Sequence, residues 1–399
     1  MSERGCPGRP EMAARRSPTD RANVWSLGPS ALDAVGTGSS RTVQATVDVA
    51  RQQPEAEAAR AETGEGMVMQ KIINGAGAFV DEMLEGLLLA HPESLRAPAR
   101  RVLVRADAPR RGKVAIVTGG GSGHLPLFLG YVGTGLADAV AVGDVFASPS
   151  SEQILEATRA ADGGAGVLYL YGNYSGDVMN FDMASELAEA EGTRTATVLG
   201  ADDVASAPRG SEHRRRGVAG IALLYKVVGA RAEQGGSLDE VAAVAKKAGS
   251  RLRSMGVALS PCTVPAAGAP TFTLQAGEME IGMGIHGEPG VRRGPLEPAE
   301  KVAEHLVARI VEDLPYGSGD EVAVLVNGLG ATPREELYVL FRSVHAILSA
   351  QGITVRRTWV GEYATSLEMA GASVSLLKLD EELLNLLDAP CESPFWVRP

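Results

Sequence analysis

The 399-residue chain has the composition of an ordinary globular protein, with 45% hydrophobic and 22% charged residues. Its 49 acidic residues outnumber its 38 basic residues, and the resulting net charge of −11 argues against a nucleic-acid-binding surface. No apolar run approaches the roughly 18 residues of a membrane span, and three scattered cysteines, which form neither a disulfide framework nor a zinc spacing, fit a reducing cytoplasm.

The first 66 residues differ in composition from the rest of the chain. They are rich in Arg, Ala, Gly, Ser and Pro, and their pattern resembles neither a secretory signal nor a basic transit peptide. Such a segment buries too little apolar surface to offset the entropy of ordering it. We therefore expect residues 1–66 to be a disordered extension or sequence upstream of the true start.

Alternating helix and strand patterns predict a first α/β domain over residues 67–250. Strands are expected at 113–117, 139–143, 166–171 and 196–200. Helices are expected at 72–88, 151–161, 178–191, 217–234 and 238–255. Short apolar strands separated by helices are typical of a largely parallel sheet.

A second group of strands predicts a second α/β domain over residues 251–399. Strands are expected at 271–274, 278–285, 322–327, 353–360 and 373–378, and helices at 297–313 and 333–350. The predicted fold class is therefore α/β, with two α/β domains and mixed, largely parallel sheets.

A glycine-rich segment, Gly119–His124, follows the first of these strands. Its backbone amides could approach a ligand closely, and a helix starting there would favour an anion or a polarised oxygen. The segment is neither a Walker A loop nor a dinucleotide fingerprint. His124 could move a proton at a strand end where open sheets bind ligands, although a plain strand–helix turn is an equal alternative.

Two further loops carry candidate chemical groups. Asp177, in the segment NYSGD after a predicted strand, could accept a proton from a hydroxyl or could cap the following helix. His286 lies among glycines and proline in the segment GMGIHGEPG. A neutral imidazole there could attack a carbonyl carbon, or could simply bond to the loop backbone.

Three weaker candidates have simpler structural interpretations. Asn327–Pro333 is typical of a strand–helix connection, and Arg214–Arg216 of a solvated face or a partner contact. Asp202 and Asp203 could hold a metal, but no further ligand follows at a useful spacing, so we predict no metal site.

Taken in order, the motifs resemble those of the K subunit of dihydroxyacetone kinase. They are GGGSGH, NYSGD, RRGVAG, CTVPAAG, EMEIGMGIHGEPG and NGLGATP, and the likeness extends from Met69 to about Ala389. No single motif is decisive, but six in this order are very specific. The resemblance implies a two-domain α/β protein that forms a homodimer and binds a short-chain ketose.

The resemblance also implies roles for particular residues. His286 would bond covalently to the substrate carbonyl carbon as a hemiaminal, and Asp177 and His124 would assist proton transfer from the hydroxyl that is phosphorylated. Gly121, Ser122 and Gly123 would line the substrate pocket together with His124 and Asp177.

No nucleotide site is evident in the sequence, so we expect this chain to bind no cofactor itself. The resemblance implies a separate L-type subunit that carries ATP, or ADP recharged by a phosphotransferase-system protein, with Mg²⁺. A non-catalytic ketose sensor of the same family is the main alternative. The presence of His286, His124 and Asp177 together favours the kinase subunit, because a sensor needs the covalent anchor but not the base.

Two positions depart from the family pattern. Leu125 stands where Glu is common after the loop histidine, and Gly172 stands where Lys is common before the NYSGD segment. A smaller and less charged pocket wall could admit one more hydroxymethyl group. We therefore predict that the substrate is dihydroxyacetone or a longer ketose such as erythrulose.

Overall fold

The computed structural model describes residues 70–399, and the predicted extension over residues 1–66 lies outside the described part. Eight α-helices and sixteen strands are found in the described residues. Most of the strands belong to two six-stranded sheets, and two short two-stranded ladders complete the set. No helix among these residues is long and apolar enough to cross a membrane.

The first sheet has the strand order β1-β2-β4-β3-β5-β6. Its strands are β1 (Leu95–Ala99), β2 (Val102–Arg105), β3 (Ala115–Ser122), β4 (Ala139–Val145), β5 (Val167–Gly172) and β6 (Thr195–Gly200). β3 pairs in parallel with β4 and β5, β5 pairs in parallel with β6, and β1 and β2 extend the sheet by antiparallel pairs. Every residue of β3 and β5 is buried, as expected for parallel strands covered on both faces.

Helices cover both faces of this sheet. In chain order they are α1 (Phe79–Ala90), α2 (Ser151–Ala161), α3 (Ser175–Ala190), α4 (Ile221–Glu233) and α5 (Leu238–Ser250). The core on one face contains residues of α2 and α3, whereas the core on the other face contains residues of α1, α4 and α5. The βαβ connections place the carboxyl ends of β3 and β5 at one edge, where two of the candidate segments emerge.

The second sheet has the order β11-β10-β7-β14-β12-β13. Its strands are β7 (Leu252–Ser260), β10 (Glu278–Ile281), β11 (Arg292–Pro295), β12 (Glu321–Gly328), β13 (Thr354–Gly361) and β14 (Ala370–Lys378). Helices α6 (Ala299–Asp313) and α7 (Arg334–Ala350) pack on one face, and α8 (Glu381–Asp388) follows the sheet. The two ladders are β8 (Thr263–Val264) with β9 (Ala269–Pro270), and β15 (Cys391–Glu392) with β16 (Val397–Arg398).

The predicted mixed α/β fold is confirmed, but parallel pairs dominate only in the first sheet. In the second sheet the one parallel pair is β12 with β13, which α7 connects as a βαβ unit. The other neighbours are antiparallel because most of the chain there returns without a crossover helix. β7 falls inside the predicted helix 238–255, and the strand predicted at 271–274 is not formed.

The largest hydrophobic core contains residues from both predicted domains. It joins Ile221 and Leu224 of α4 to Leu377 of β14, Leu386 of α8 and Trp396 near the C-terminus. The first sheet nevertheless contains only strands up to β6, and the second sheet contains only strands from β7 onward. The boundary near residue 250 stays a prediction.

Candidate active site

Two of the predicted residues, His124 and His286, meet although they are 162 positions apart in sequence. Their Nε2 atoms are 3.0 Å apart, and their ring planes are nearly perpendicular. His124 is fully buried, whereas the His286 side chain keeps 23% of its surface exposed. The contact therefore places one buried and one accessible imidazole side by side.

The glycines before His124 lie in the strand and make room for close packing. A Cβ atom at Gly121 would lie 2.7 Å from the backbone nitrogen of Ala147, and one at Gly120 would overlap the ring of Phe128. Gly123 has a φ of +97°, which turns the chain out of β3 into the left-handed region that glycine tolerates best. A three-residue 3₁₀ turn over Leu129–Tyr131 follows, so the prediction of a helix start at this ligand loop is wrong.

His124 is held as a neutral imidazole. Its Nδ1 lies 2.8 Å from the carbonyl oxygen of Thr365, which can only accept, so Nδ1 carries a hydrogen. The ring stacks on Phe146 at a centroid distance of 4.8 Å. Burial, followed by the nearby charge of His286, lowers the pKa of His124 from 6.5 to about 3.

Glu288 orients His286, and the sequence analysis did not identify it. Its Oε1 lies 3.0 Å from Nδ1 of His286, and its Oε2 accepts the backbone N–H of the same residue at 3.0 Å. Burial by itself would raise the pKa of Glu288, but the His286 hydrogen bond and the charges of His286 and Arg216 outweigh it and lower that pKa to about 2. The sequence signal was the spacing of a carboxylate two residues after the histidine.

These bonds determine how many protons the histidine pair holds. Because Thr365 and ionised Glu288 can only accept, both Nδ1 atoms carry hydrogens. The 3.0 Å contact between the two Nε2 atoms then needs one more proton, since two lone pairs would repel each other. The two rings therefore share one proton, and Nε2 of His286 becomes a nucleophile when that proton leaves it.

Asp177 lies in the first turn of α3 and is not its N-cap. The N-cap is Tyr174, and this helix end has no side-chain capping bond, so the alternative of a helix-capping Asp177 is wrong. Oδ1 of Asp177 is buried without a hydrogen-bond partner in the described structure. Burial raises the pKa of Asp177 from 3.8 to about 6, and the Ser148 hydroxyl and the His286 charge oppose this effect. Such a carboxylate is a competent base at neutral pH.

Ser122 and Tyr174 complete the surroundings of the two histidines. Ser122 ends β3, and its buried Oγ atom also has no partner in the described residues. Tyr174 presents its ring to His286 at a centroid distance of 4.7 Å and donates its hydroxyl to the carbonyl of Gly217. Gly172 permits this arrangement, because a Cβ there would lie 3.2 Å from the Tyr174 ring.

The two adjacent aspartates serve the fold and are not free metal ligands. Asp202 accepts the backbone N–H groups of Val218 and Gly220 just before α4. Asp203 is paired with Arg216 at 2.7 Å. Within residues 70–399, no group of three or more metal-ligating side chains gathers.

The arginine run is only partly the solvated face that its sequence predicts. Arg214 is exposed, but Arg215 is fully buried in an ion pair with Asp313. Arg216 is also largely covered, and its Nη1 lies 3.7 Å from Oε2 of Glu288. The exposure of the three arginines differs because Arg214 ends a surface turn, whereas Arg215 and Arg216 lie in the packed segment before α4.

Comparison with known proteins identifies the family. The Dak1 domain model matches residues 85–395, which is more than half of the chain. The chain belongs to the Dak1 family. The predicted resemblance to the K subunit of dihydroxyacetone kinase is thereby confirmed.

Proteins named for several different activities are similar to this chain. The dihydroxyacetone-binding subunit DhaK of a PTS-dependent dihydroxyacetone kinase from Listeria innocua is 47% identical, over 82% of this chain and 100% of the relative. The L-erythrulose kinase of Pectobacterium atrosepticum is 46% identical over 82% of this chain, which spans 56% of that enzyme. The solved structure of a dihydroxyacetone kinase operon co-activator is 34% identical with a TM-score of 0.74, covering 79% of this chain and 98% of the co-activator.

Proposed function

We propose that this chain is the ketose-binding subunit of a dihydroxyacetone-type kinase, a phosphotransferase. It binds its substrate covalently as a hemiaminal on His286 and presents a terminal hydroxyl to a phosphoryl donor. The observation that carries this proposal is the arrangement of His286 between a carboxylate at Nδ1 and a second imidazole at Nε2. That arrangement supports a nucleophilic nitrogen beside a neutral ring that can accept its proton and pass it on.

The addition step balances with the groups present. A ketose carbonyl carbon bonds to Nε2 of His286 as the proton shared by the two Nε2 atoms leaves that nitrogen and passes, by way of Nε2 of His124, to the former carbonyl oxygen. The product is a neutral hemiaminal hydroxyl on an imidazolium ring whose Nδ1–H stays bonded to ionised Glu288. The pair carries one positive charge before the step and the adduct carries one after it. Because the pKa of His124 is lowered to about 3, its ring does not keep this proton and passes it on to the oxygen.

Covalent binding solves a recognition problem of small substrates. A three-carbon polyol offers little apolar area, and one methylene group discriminates by only about 1–3 kcal/mol. Reaction at the carbonyl separates a ketose from glycerol by chemistry and also fixes the terminal hydroxyl. The unpartnered polar atoms of Ser122 and Asp177 are suitable partners for substrate hydroxyls, as are backbone groups of Gly121 and Gly123.

Asp177 serves as the base for phosphoryl transfer. Its carboxylate takes the proton of the attacking hydroxyl, and transfer then depends mainly on positioning and on neutralising phosphate charge. A separate L-type subunit carries ATP, or recharged ADP, with Mg²⁺, which supplies the phosphoryl group and its neutralisation. The chain itself works as a homodimer, and its cytoplasmic location rests on the scattered cysteines alone.

Carbon-13 NMR with dihydroxyacetone labelled at the carbonyl carbon tests the covalent step. On binding, the labelled signal moves from the ketone range to the range of a tetrahedral carbon. His286→Ala removes the shifted signal, whereas the matched change His305→Ala, at a half-buried contact with Glu297, leaves it in place. Binding with no tetrahedral signal would reject the proposal.

The second candidate function is a ketose sensor, which the similarity to an operon co-activator favours. Mixing the chain with an L-type subunit and a phosphoryl donor separates the two functions. The kinase subunit supports ketose phosphate formation, and Asp177→Asn stops it while the NMR adduct persists. A sensor forms the adduct but supports no turnover.

The substrate is dihydroxyacetone or erythrulose, as the similarity to a DhaK subunit and to an L-erythrulose kinase suggests. The ratio of kcat/KM values for dihydroxyacetone and the two erythrulose enantiomers decides between them. A far higher value for dihydroxyacetone than for either enantiomer would reject the longer substrate.

A further inference from the structure

Arg216 lies behind the candidate active site and contacts it through Glu288. Its guanidinium is bound on one side by Asp203, at 2.9 Å from Nε and 2.7 Å from Nη2 to the same carboxylate oxygen. Nη2 also donates to the carbonyl of Gly282 at 3.2 Å. On the other side Nη1 lies 3.7 Å from Oε2 of Glu288. Asp203, Arg216, Glu288 and His286 thus form a continuous chain of alternating charge.

The surrounding backbone is shaped to permit this contact. A Cβ atom at position 284 would overlap Oε2 of Glu288 and would lie 2.5 Å from Nη1 of Arg216. Glycine at this position is therefore what allows the guanidinium and the carboxylate to approach in the space behind His286. Asp203 is only 3% exposed and its Oδ1 accepts the N–H of Ala205, so the guanidinium is held from behind by an anchored carboxylate.

We propose that Arg216 is a positioning residue for the reaction with ketose: paired with Asp203, it holds Glu288 ionised and in place to orient the nucleophilic ring of His286. This inference rests on the proposed function, because it assigns a role toward the covalent step. Arg216 reaches no substrate atom in this role and acts only through Glu288. The guanidinium is planar, always charged and carries five N–H donors, so it can contact two carboxylates at once.

Removing the guanidinium takes a positive charge away from Glu288 and so favours protonation of that carboxylate. Ketose addition needs ionised Glu288 to accept Nδ1–H of His286, so the acid limb of adduct formation moves to higher pH in such a variant. A purely structural loss would lower adduct formation at all pH values without moving that limb. The position of the acid limb therefore separates the two roles.

The experiment measures the dissociation constant of the carbon-13 adduct against pH for five proteins. They are the wild type, Arg216→Met, Arg216→Lys, the double variant Arg216→Met with Asp203→Asn, and Arg214→Met. The double variant removes both buried charges and so avoids leaving Asp203 unpaired, which protects the fold. Arg214 is exposed and belongs to the same arginine run, which makes it the matched control.

The two Arg216→Met proteins are expected to weaken the adduct by about tenfold at neutral pH, the lower end of the effect of losing an outer partner of a metal-binding histidine. Their acid limbs move to higher pH, Arg216→Lys restores most of the affinity, and Arg214→Met behaves like the wild type. An unmoved limb in the well-folded double variant, with an adduct formed by the wild type, overturns this inference alone. If the wild type binds ketose without any adduct, the proposed function fails as well.

Discussion

Asp177 illustrates how a side chain that is proposed to act as a base can lower the stability of the fold around it. Its carboxyl is buried, one oxygen has no partner in the described residues, and no guanidinium or ammonium group faces it in the described contacts. Burial raises its pKa from 3.8 to about 6, so the folded protein binds a proton that the unfolded chain releases. The ionised carboxylate therefore lowers the stability of the folded protein at pH 7. Its proposed role as a base nevertheless requires the ionised form.

Asp177→Asn is expected to stabilise the protein while it abolishes turnover. A rise in pKa from 3.8 to about 6 corresponds to a cost of at most about 3 kcal/mol at pH 7. The cost is absent below pH 3.8, grows between the two pKa values and is complete above about 6. Denaturant titrations of both proteins at pH 7 and at pH 4 measure it.

The control for this prediction is Asp182→Asn, at an exposed position on the same helix. It is expected to leave stability within about 0.5 kcal/mol of the wild type. Equal stability of Asp177→Asn and the wild type at pH 7 would mean that the carboxylate is not penalised by its surroundings.

The same carboxyl predicts the acid side of the activity profile. Asp177 accepts a proton only when it is ionised, so the population of active base falls as the pH drops below about 6. Turnover with a saturating donor subunit is therefore expected to lose about tenfold for each pH unit below that value. A kcat that stays level down to pH 4.5 would exclude Asp177 as the base.

At the scale of elements, the segment after β13 connects the two histidine-bearing segments. Thr365 accepts from Nδ1 of His124, and the hydroxyl of Ser366 donates to the carbonyl of Ile285, just before His286, at 2.5 Å. The N–H of Leu367 donates to Gly123 at 2.7 Å. One short segment of the second sheet thus sets the positions of both rings.

Asn327 holds the segment after β13 in place. This residue begins the strand–helix connection predicted at 327–333, and its side chain bonds to that other segment. Its Oδ1 accepts the N–H groups of Tyr363 and Ala364, both at 2.8 Å, and its Nδ2 donates to the Ala364 carbonyl at 2.9 Å. The side chain is completely buried. A buried amide with all of these bonds formed rigidifies the loop that it spans.

Asn327→Ala is expected to destabilise the protein by about 3 kcal/mol, because buried backbone groups lose their partners. It should also weaken the ketose adduct, since the loop no longer fixes His124 and the segment before His286. Urea denaturation and the carbon-13 titration measure the two effects. Asn385→Ala, at an exposed position on α8, serves as the control, and a similar loss there would contradict the assigned role of Asn327.

At the scale of the whole molecule, the main core passes between the two sheets. α4 packs against α8, and Nζ of the buried Lys226 donates to the carbonyl of Leu386 at 2.9 Å. The rings of Trp396 and Trp359 of β13 pack edge-on with their centroids 5.4 Å apart. Trp396 belongs to this core, and Trp359 packs against it. The histidine pair lies at a junction between segments of both sheets and depends on that shared packing.

We therefore expect residues 70–399 to unfold in one cooperative transition rather than as two domains. In a Trp25→Phe background the tryptophan fluorescence comes from Trp359 and Trp396, which report the shared core. Its midpoint in denaturant should coincide with that of far-ultraviolet circular dichroism. Two separated transitions would instead support independent domains on either side of residue 250.

The chain order of short apolar strands and amphipathic helices was enough to predict the mixed α/β fold, because hydrophobic periodicity is a local property. The glycine, histidine and aspartate segments were likewise recognisable as candidate sites, since glycine-rich strand ends and accessible polar loops leave local signals. Strand β7 escaped prediction because its buried residues continue the apolar pattern of α5 without a clear break.

Contacts between residues that are distant in sequence could not be predicted from such local patterns. The contact of His124 with His286, the orienting role of Glu288 and the partners of Arg216 depend on which strand ends meet and which side chains lose water there. Those facts arise from long-range packing, and a protonation state follows from burial and neighbouring charge rather than from residue type. Local pattern therefore identified the candidate residues, and only the tertiary structure determined their partners, because those partners come from distant parts of the chain.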